Sequence, residues 1–253
     1  MLHCPSLTAS RLQFASAVVL AVAISAVSVW SLLQGDPTHD GRTLSDWLEE
    51  LETGASSRCE DATHAIDAIG TNAIPRLLSL LESEDTPLDL AMEEITESQS
   101  AMQIDWETAF DEHWRALRGF EALGGRAVSA IPALAARLER GENPEFVSFA
   151  LANIGGEALP FLQRATTNAN EGVRRSSIAA LGFLGGEAGP AIATLIGCLK
   201  DANAAVRRCA ADALGRMGAA ATEAVPSLKQ AREDIDESVR TAATVALRKI
   251  EVP

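Results

Sequence analysis

A small apolar residue followed by a large one recurs along this chain at nearly constant spacing. Each pair lies in a segment whose apolar residues fall at i, i+3, i+4 and i+7, which is one face of an α-helix. The large residue of the pair steps by 54, 31, 30, 33 and 33 residues. The six segments are Ala62/Ala65/Ile66/Ile69, Ala116/Gly119/Phe120/Leu123, Val147/Ala150/Leu151/Ile154, Ser177/Ala180/Leu181/Leu184, Ala210/Ala213/Leu214/Met217 and Ala243/Ala246/Leu247/Ile250. Such a period is typical of proteins in which stacked repeats share one core.

Glycine and proline divide each period into two helices. Glycine just past a helix stops it, because glycine adopts positive φ without a Cβ penalty. Proline is tolerated in a first helical turn, where its missing N–H would have no partner. The stops are Gly70, Gly124, Gly155, Gly185 and Gly218, and the prolines of the following apolar runs are Pro75, Pro132, Pro160, Pro190 and Pro226. The predicted unit is therefore a helix, a glycine turn and a second helix that begins near proline.

This unit resembles HEAT repeats, in the short bacterial form also seen in proteins similar to phycobilisome lyases. The matching residues are Val173-Arg174-Arg175, Val206-Arg207-Arg208 and Val239-Arg240 in first helices, the Leu-Gly-Gly and Ile-Gly-Gly stops, and Ile131-Pro132-Ala133-Leu134. The resemblance covers roughly residues 56–253. It implies an all-α fold, an α-α superhelix or solenoid of about five and a half helical hairpin repeats. It does not specify a function.

The flanks of the repeats carry two further predictions. Residues 35–55 are interpreted as a linker and a capping helix, since Thr43 to Asp46 resembles a capping box and apolar residues follow at helical spacing. Residues 82–112 interrupt the repeats with eleven acidic residues and no Lys or Arg. Their large apolar residues favour an acidic helical insertion over disorder. Such an insertion is either a binding face or a solvated cap.

Residues 12–33 contain no charged side chain and are long enough, as a helix, to cross a bilayer. We therefore expect residues 1–34 to be a transmembrane anchor or signal segment. Arg11 precedes the apolar run and Asp36 follows it, which places the repeats outside the cytoplasm. Cleavage of a signal peptide is the alternative, although signal peptides have shorter apolar regions. If the segment is not cleaved, the chain is a single-pass membrane protein with its repeats in the periplasm or outside the cell. If it is cleaved, the protein is secreted.

The formal charge of −14 is unevenly distributed. Residues 36–112 carry 20 acidic and three basic side chains, whereas residues 113–253 carry 15 acidic and 17 basic ones. Nucleic-acid binding needs a basic surface that neutralises phosphates. The net charge therefore argues against a nucleic-acid partner.

No pattern of catalytic residues is present, so the sequence predicts no catalytic site, metal or cofactor. HEAT-repeat metalloenzymes that resemble deoxyhypusine hydroxylase carry His-Glu pairs as iron ligands, and this sequence has no such pair. It also lacks HExxH, phosphate-loop and G-x-S-x-G motifs. Asp111, Glu112 and His113 are consecutive. Because consecutive helical residues point in different directions, these three side chains are not expected to form one catalytic site.

Three cysteines, Cys59, Cys198 and Cys209, follow the apolar segment. Cys198 and Cys209 could approach each other, and an exported protein could form a disulfide there. Small buried thiols in a tight helix interface are the favoured interpretation.

Arginines at 33-residue spacing are the candidate partner-binding residues. Arg174, Arg207 and Arg240 would align when repeats stack, and Arg175 and Arg208 would widen the row. Such arginines either brace neighbouring turns or form a basic stripe that docks an acidic partner. The sequence thus predicts a non-catalytic protein–protein interaction scaffold at the cell envelope. The alternative is an enzyme or cofactor-attachment factor resembling bilin lyases.

Overall fold

The computed structural model describes residues 35–53, 56–84 and 108–251. The predicted membrane segment and most of the acidic insertion, residues 85–107, lie outside the described residues.

A small β-hairpin occupies part of the region interpreted as a linker. Strand β1, Thr38–His39, pairs antiparallel with β2, Arg42–Thr43. The turn residues Asp40 and Gly41 both have positive φ, at 50° and 77°. Two such residues are typical of a hairpin turn that matches strand twist, and Asp-Gly is a strong signal for it. Apart from this hairpin of two residues per strand, the regular structure of the described residues is helical, as the all-α prediction expects.

Helix α1, Leu44–Thr53, follows directly and covers the first repeat. The main-chain N–H of Thr43 donates to the Asp46 carboxylate at 2.8 Å, and the N–H of Asp46 donates to the Thr43 hydroxyl at 3.1 Å. This reciprocal pair satisfies two N–H groups at the helix start. The buried side chains Leu44, Trp47, Leu48 and Leu51 face the repeats.

Five helical hairpins and one further helix make up the repeats of the described chain, which confirms the predicted series of helical hairpins. The hairpins are α2 with α3 (Ser56–Ile69, Ile74–Leu80), α4 with α5 (Ala109–Leu123, Ile131–Arg140), α6 with α7 (Pro144–Ile154, Leu159–Ala165), α8 with α9 (Glu171–Leu184, Ile192–Cys198) and α10 with α11 (Ala204–Met217, Val225–Ala231). Helix α12 is Glu237–Glu251.

Short 3-10 segments join the two helices of each hairpin. The glycine at each stop has positive φ, between 49° and 99°. Four of the five prolines lie in the first turn of the second helix. Pro190 differs, because it lies in the 3-10 segment Gly185–Ala191, just before α9 begins at Ile192.

The first helices α2, α4, α6, α8, α10 and α12 stack in chain order, and each second helix packs on the following first helix. Close approach of the stacked helices depends on glycine. A Cβ added to Gly182 would lie 2.7 Å from the Ala213 Cα, and one added to Gly215 would lie 2.9 Å from the Ala246 Cα. Glycine therefore permits backbone contact between successive first helices.

The recurring large residues of the sequence pattern form the centre of the core. Ile66, Phe120, Leu151, Leu181 and Leu214 are fully buried, and Leu247 is 5% exposed. The small residue that precedes each of them is buried as well.

One described stretch, Glu171–Cys198, is long and apolar enough to cross a membrane by length and composition. It comprises α8 and α9, separated at Gly185, where φ is 57°. Its apolar residues, among them Ile178, Leu181 and Leu195, belong to the core. The stretch is therefore one hairpin of the repeat array.

Candidate interaction surface

Arg174, near the start of α8, joins the ends of two second helices. Its Nε and Nη2 atoms donate to the carboxylate oxygens of Asp201 at 3.0 and 3.2 Å. Its Nη1 atom donates to the main-chain carbonyls of Asn168 and Ala169 at 2.9 and 3.0 Å. These carbonyls follow α7, whereas Asp201 follows α9. One guanidinium thus satisfies two main-chain carbonyls of the loop after α7 and pairs with a carboxylate from the next loop.

The same contacts recur one repeat later at Arg207. Its Nε and Nη2 atoms each donate to the Asp234 carboxylate at 2.8 Å. Its Nη1 atom donates to the carbonyls of Asp201 and Ala202 at 2.9 and 3.1 Å. Asp201 therefore accepts from Arg174 through its side chain and from Arg207 through its main chain, which makes the network continuous.

Arg240 extends this network into α12 by donating to the carbonyls of Asp234 and Ile235 at 2.8 and 3.0 Å. We call Arg174, Asp201, Arg207, Asp234 and Arg240 the arginine ladder.

The electrostatics of the ladder agree with its geometry. Hydrogen bonds from Arg207 hold the pKa of Asp234 below its ordinary value, and the carboxylate in turn raises the pKa of Arg207. Both side chains are only 13% exposed. Because the donors of Arg174 and Arg207 are occupied within the protein, these two residues brace neighbouring repeats.

The remaining two candidate arginines, Arg175 and Arg208, point to solvent. The Arg175 Nη1 atom lies 3.7 Å from a Glu171 carboxylate oxygen, one helical turn away. Arg208 forms no ion pair with any described residue. The five candidates thus separate into three residues of the arginine ladder and two that point to solvent.

His113 occupies the ladder position of an earlier repeat. It precedes Phe120 by seven residues, as Arg174 precedes Leu181. Its Nε2 atom lies 3.1 Å from the carbonyl oxygen of Ser83, and the ring is 7% exposed. Alignment of the sequence by repeat position pairs His113 with the arginines, a signal that its neighbours Asp111 and Glu112 do not give.

Three aromatic side chains form an exposed cluster beside His113, which we call the aromatic patch. The centroid of the Phe146 ring on α6 lies 5.6 Å from that of Phe110 and 6.2 Å from that of Trp114, both on α4. Phe110 is 57% exposed and Trp114 is 48% exposed. Sequence reasoning missed this patch because only the stacking of α4 on α6 brings the rings together.

A polar cavity of about 570 Å³ lies at the capping end of the solenoid. Glu50 at this cavity is paired with Arg42 at 2.7 Å and lies 3.6 Å from Arg58. Among the described residues, no three His, Cys, Asp or Glu side chains are grouped so that they could hold a metal ion. The side chains that line the polar cavity are His39, Asp40, Arg42, Trp47, Glu50, Arg58, Asp61, His64 and Ala65.

None of the three described cysteines forms a disulfide, so the possible bond between Cys198 and Cys209 is not formed. Cys198 is buried, and this burial raises the pKa of its thiol. A buried neutral thiol behaves as a small apolar side chain.

Stacked helical hairpins with glycine stops and a ladder of bracing arginines define an α-solenoid repeat protein. Within this class, residues 188–248 match the family described as HEAT repeats. The match spans α9 to most of α12 and includes Arg207 and Arg240. A search of the curated proteins found no significant match.

Solved structures with similar arrangements include an enzyme and two designed or engineered proteins. Human deoxyhypusine hydroxylase, in complex with glycerol, is 19% identical and has a TM-score of 0.42, over 93% of this chain and 99% of that one. A designed armadillo repeat protein in complex with the peptide (KR)4 is 17% identical, with a TM-score of 0.38, over 82% and 99% of the two chains. An engineered protein is 18% identical, with a TM-score of 0.39, over 82% and 96%. At these low TM-scores, none of the three carries a functional argument.

Proposed function

We propose that the protein is a non-catalytic protein–protein interaction scaffold. The observation that carries this proposal is the aromatic patch, in which Phe110 and Trp114 are about half exposed beside Phe146. Exposed clusters of large apolar rings mark sites of protein association, and tryptophan is enriched among residues that dominate binding energy. An α-solenoid also presents an extended surface, which suits recognition of a protein or peptide.

The proposed location is the cell envelope. Residues 12–33 would anchor the chain as a single membrane pass, with the repeats in the periplasm or outside the cell. If residues 1–34 are instead cleaved as a signal peptide, the repeats are secreted. Either location favours a protein partner over nucleic acid, as does the net charge of −14.

The test is affinity capture from detergent-solubilised envelopes with the full-length chain as bait. A second bait carries Phe110→Ala and Trp114→Ala, and a control bait carries Phe161→Ala, which removes a partly buried ring from α7. Circular dichroism first checks that all three baits have the same helix content. We expect a stoichiometric protein partner that the double variant loses and the control retains. Absence of any protein partner would overturn the proposal.

An enzyme or cofactor-attachment factor, similar to the bilin lyases, is the second candidate function. The polar cavity at the capping end is the observation that favours it, because convergent polar groups in a concavity are typical of small-molecule sites. This candidate predicts a chromophore, metal or small molecule in the purified protein and its loss in a His64→Ala variant.

A further inference from the structure

The outward faces of α8, α10 and α12 combine basic and large apolar side chains. On a helix, residues at i, i+4 and i+8 lie on one face. Equivalent positions of the three stacked helices therefore form three parallel rows. We call the following nine residues the outer face: Arg175, Ala179 and Phe183 on α8; Arg208, Asp212 and Arg216 on α10; Thr241, Val245 and Lys249 on α12.

Exposure supports this assignment. Eight of the nine residues are exposed, and Ala179 is half-buried. Phe183 is 54% exposed and Val245 is 41% exposed, so the outer face carries two large apolar side chains in water. The Phe183 ring also contacts Phe149 of α6 edge-on, with centroids 5.6 Å apart, and so continues the apolar surface toward the preceding repeat.

The outer face is basic. Its nine residues include four basic side chains and one acidic one, and Glu171 and Glu237 lie one helical turn before the face on α8 and α12. Within residues 35–53, 56–84 and 108–251, Arg208, Arg216 and Lys249 form no ion pair. These cations therefore differ from the ladder residues Arg174 and Arg207, whose donors are occupied within the protein.

The rows are also held in a defined arrangement. Gly182 and Gly215 bring the helix backbones into contact, and the arginine ladder ties the loops that precede α10 and α12. Cations on a rigid frame lose less conformational freedom on binding than cations on loops. A prearranged set of guanidinium groups matches carboxylates, which accept their paired donors.

We infer that the outer face docks an acidic segment of a partner protein that also presents apolar side chains. Carboxylates would pair with Arg175, Arg208 and Arg216, and apolar groups would cover Phe183 and Val245. This inference rests on the proposed scaffold function and specifies the chemistry of the partner. The charge of the face selects an acidic segment, since a basic one would be repelled.

The test measures binding of defined probes to the full-length protein in detergent by fluorescence anisotropy. The main probe is a labelled amphipathic helical peptide of Glu and Leu. One control peptide has Lys at every Glu position, and a second has Ala at every Leu position. Two further probes are phosphatidylserine vesicles and, separately, duplex DNA. They test whether the face instead recognises anionic lipid or phosphate.

Two charge-reversed proteins distinguish the outer face from a general charge effect. One carries Arg175→Glu and Arg208→Glu. The other carries Lys200→Glu and Arg232→Glu, which gives the same net charge by changing exposed residues after α9 and α11. A third protein, with Phe183→Ala, tests the apolar contribution.

We expect the Glu/Leu peptide to bind most tightly, and Arg175→Glu/Arg208→Glu to weaken it by about tenfold or more. Lys200→Glu/Arg232→Glu should change the affinity by less than about twofold, and Phe183→Ala should weaken it several-fold. Equal binding of the Lys peptide, equal affinity of the two charge-reversed proteins, or binding of vesicles or DNA alone would overturn the inference. The proposed scaffold function is tested by a different experiment, the envelope capture. It is overturned if that capture yields no protein partner.

Discussion

At the scale of single residues, adjacent arginines have opposite roles. Arg207 holds one carboxylate and two carbonyls, whereas its neighbour Arg208 points to solvent without an ion pair among the described residues. A bracing arginine and a solvent-exposed arginine are thus adjacent within one Val-Arg-Arg motif. The difference arises because consecutive residues on a helix face directions about 100° apart.

Substitution of these neighbours should affect stability very differently. Arg207→Ala would remove the donor of the Asp201 and Ala202 carbonyls and leave the partly buried Asp234 carboxylate with the Asp236 N–H but no guanidinium. We expect a loss of about 1–3 kcal/mol in the free energy of unfolding, measured by urea denaturation. Arg208→Ala is the matched control and should change it little. Equal losses in the two variants would contradict the bracing role.

Acid should remove the contribution of the Arg207–Asp234 pair. Because the pKa of Asp234 is held below its ordinary value of 3.8 in the folded protein, the unfolded chain binds the proton more readily. The stabilisation is therefore complete above that value and is lost as the pH falls through the lower, folded-state pKa. We expect the difference in Tm between the wild type and Asp234→Asn to shrink as the pH falls below about 4. A difference that stays constant down to about pH 2 would contradict this assignment.

The sequence predicted the 33-residue spacing of the arginines. It did not predict which of them would form the ladder and which would point to solvent. Equal spacing of Arg174, Arg207 and Arg240 indicated alignment between repeats, and the structure places all three in one network. Their carboxylate partners, Asp201 and Asp234, lie 27 residues further along the chain, in loops for which the helical period gives no direction. His113 was missed because a histidine there replaces the arginine side chain of later repeats.

At the scale of helices, the spacing between stacked first helices is set by small residues. Gly182 faces Ala213, and Gly215 faces Ala246, at distances that leave no room for a Cβ. The same small-then-large pairs that revealed the repeat therefore also determine how closely repeats approach. The large residue fills the core, and the small residue allows backbone contact with the preceding helix.

Enlarging one of these glycines should weaken the stack. In Gly215→Val, the new Cβ would lie 2.9 Å from the Ala246 Cα, so α10 and α12 would have to separate. We expect a loss of about 1–3 kcal/mol, measured by chemical denaturation. Gly197→Val is the control, since Gly197 is an exposed residue of α9 with no atom within 4 Å of an added Cβ. A similar loss at both positions would show that strain within a helix, and not helix contact, is responsible.

Sequence patterns predict which segments are helical, and in what order, better than they predict the connections between the helices. Glycine stops and buried positions follow from local backbone preference and helical periodicity, and both agree with the structure. Asp40-Gly41 is a recognisable signal for a hairpin turn, although the sequence prediction for this region is a linker. The 3-10 segments, which place Pro190 outside α9, arise from packing between repeats and have no comparable sequence signal.

At the scale of the whole molecule, the repeats carry two exposed surfaces of different composition. The aromatic patch lies where the chain returns from the acidic insertion, and the outer face lies on α8, α10 and α12. The sequence predicted the overall charge asymmetry. The 33-residue period also predicted the row of Arg175 and Arg208 on the outer face. It could not predict the aromatic patch, because Phe146 lies about 30 positions from Phe110 and Trp114 on a separate helix.

The most direct measurement of the central claim is hydroxyl-radical footprinting of the full-length protein with and without its captured partner. The method reports solvent access of individual side chains. We predict that Phe183 and Val245 on the outer face, and Trp114 in the aromatic patch, lose reactivity when the partner binds. Protection confined to Trp47 and His64, at the polar cavity, would contradict an interaction scaffold and favour a small-molecule site.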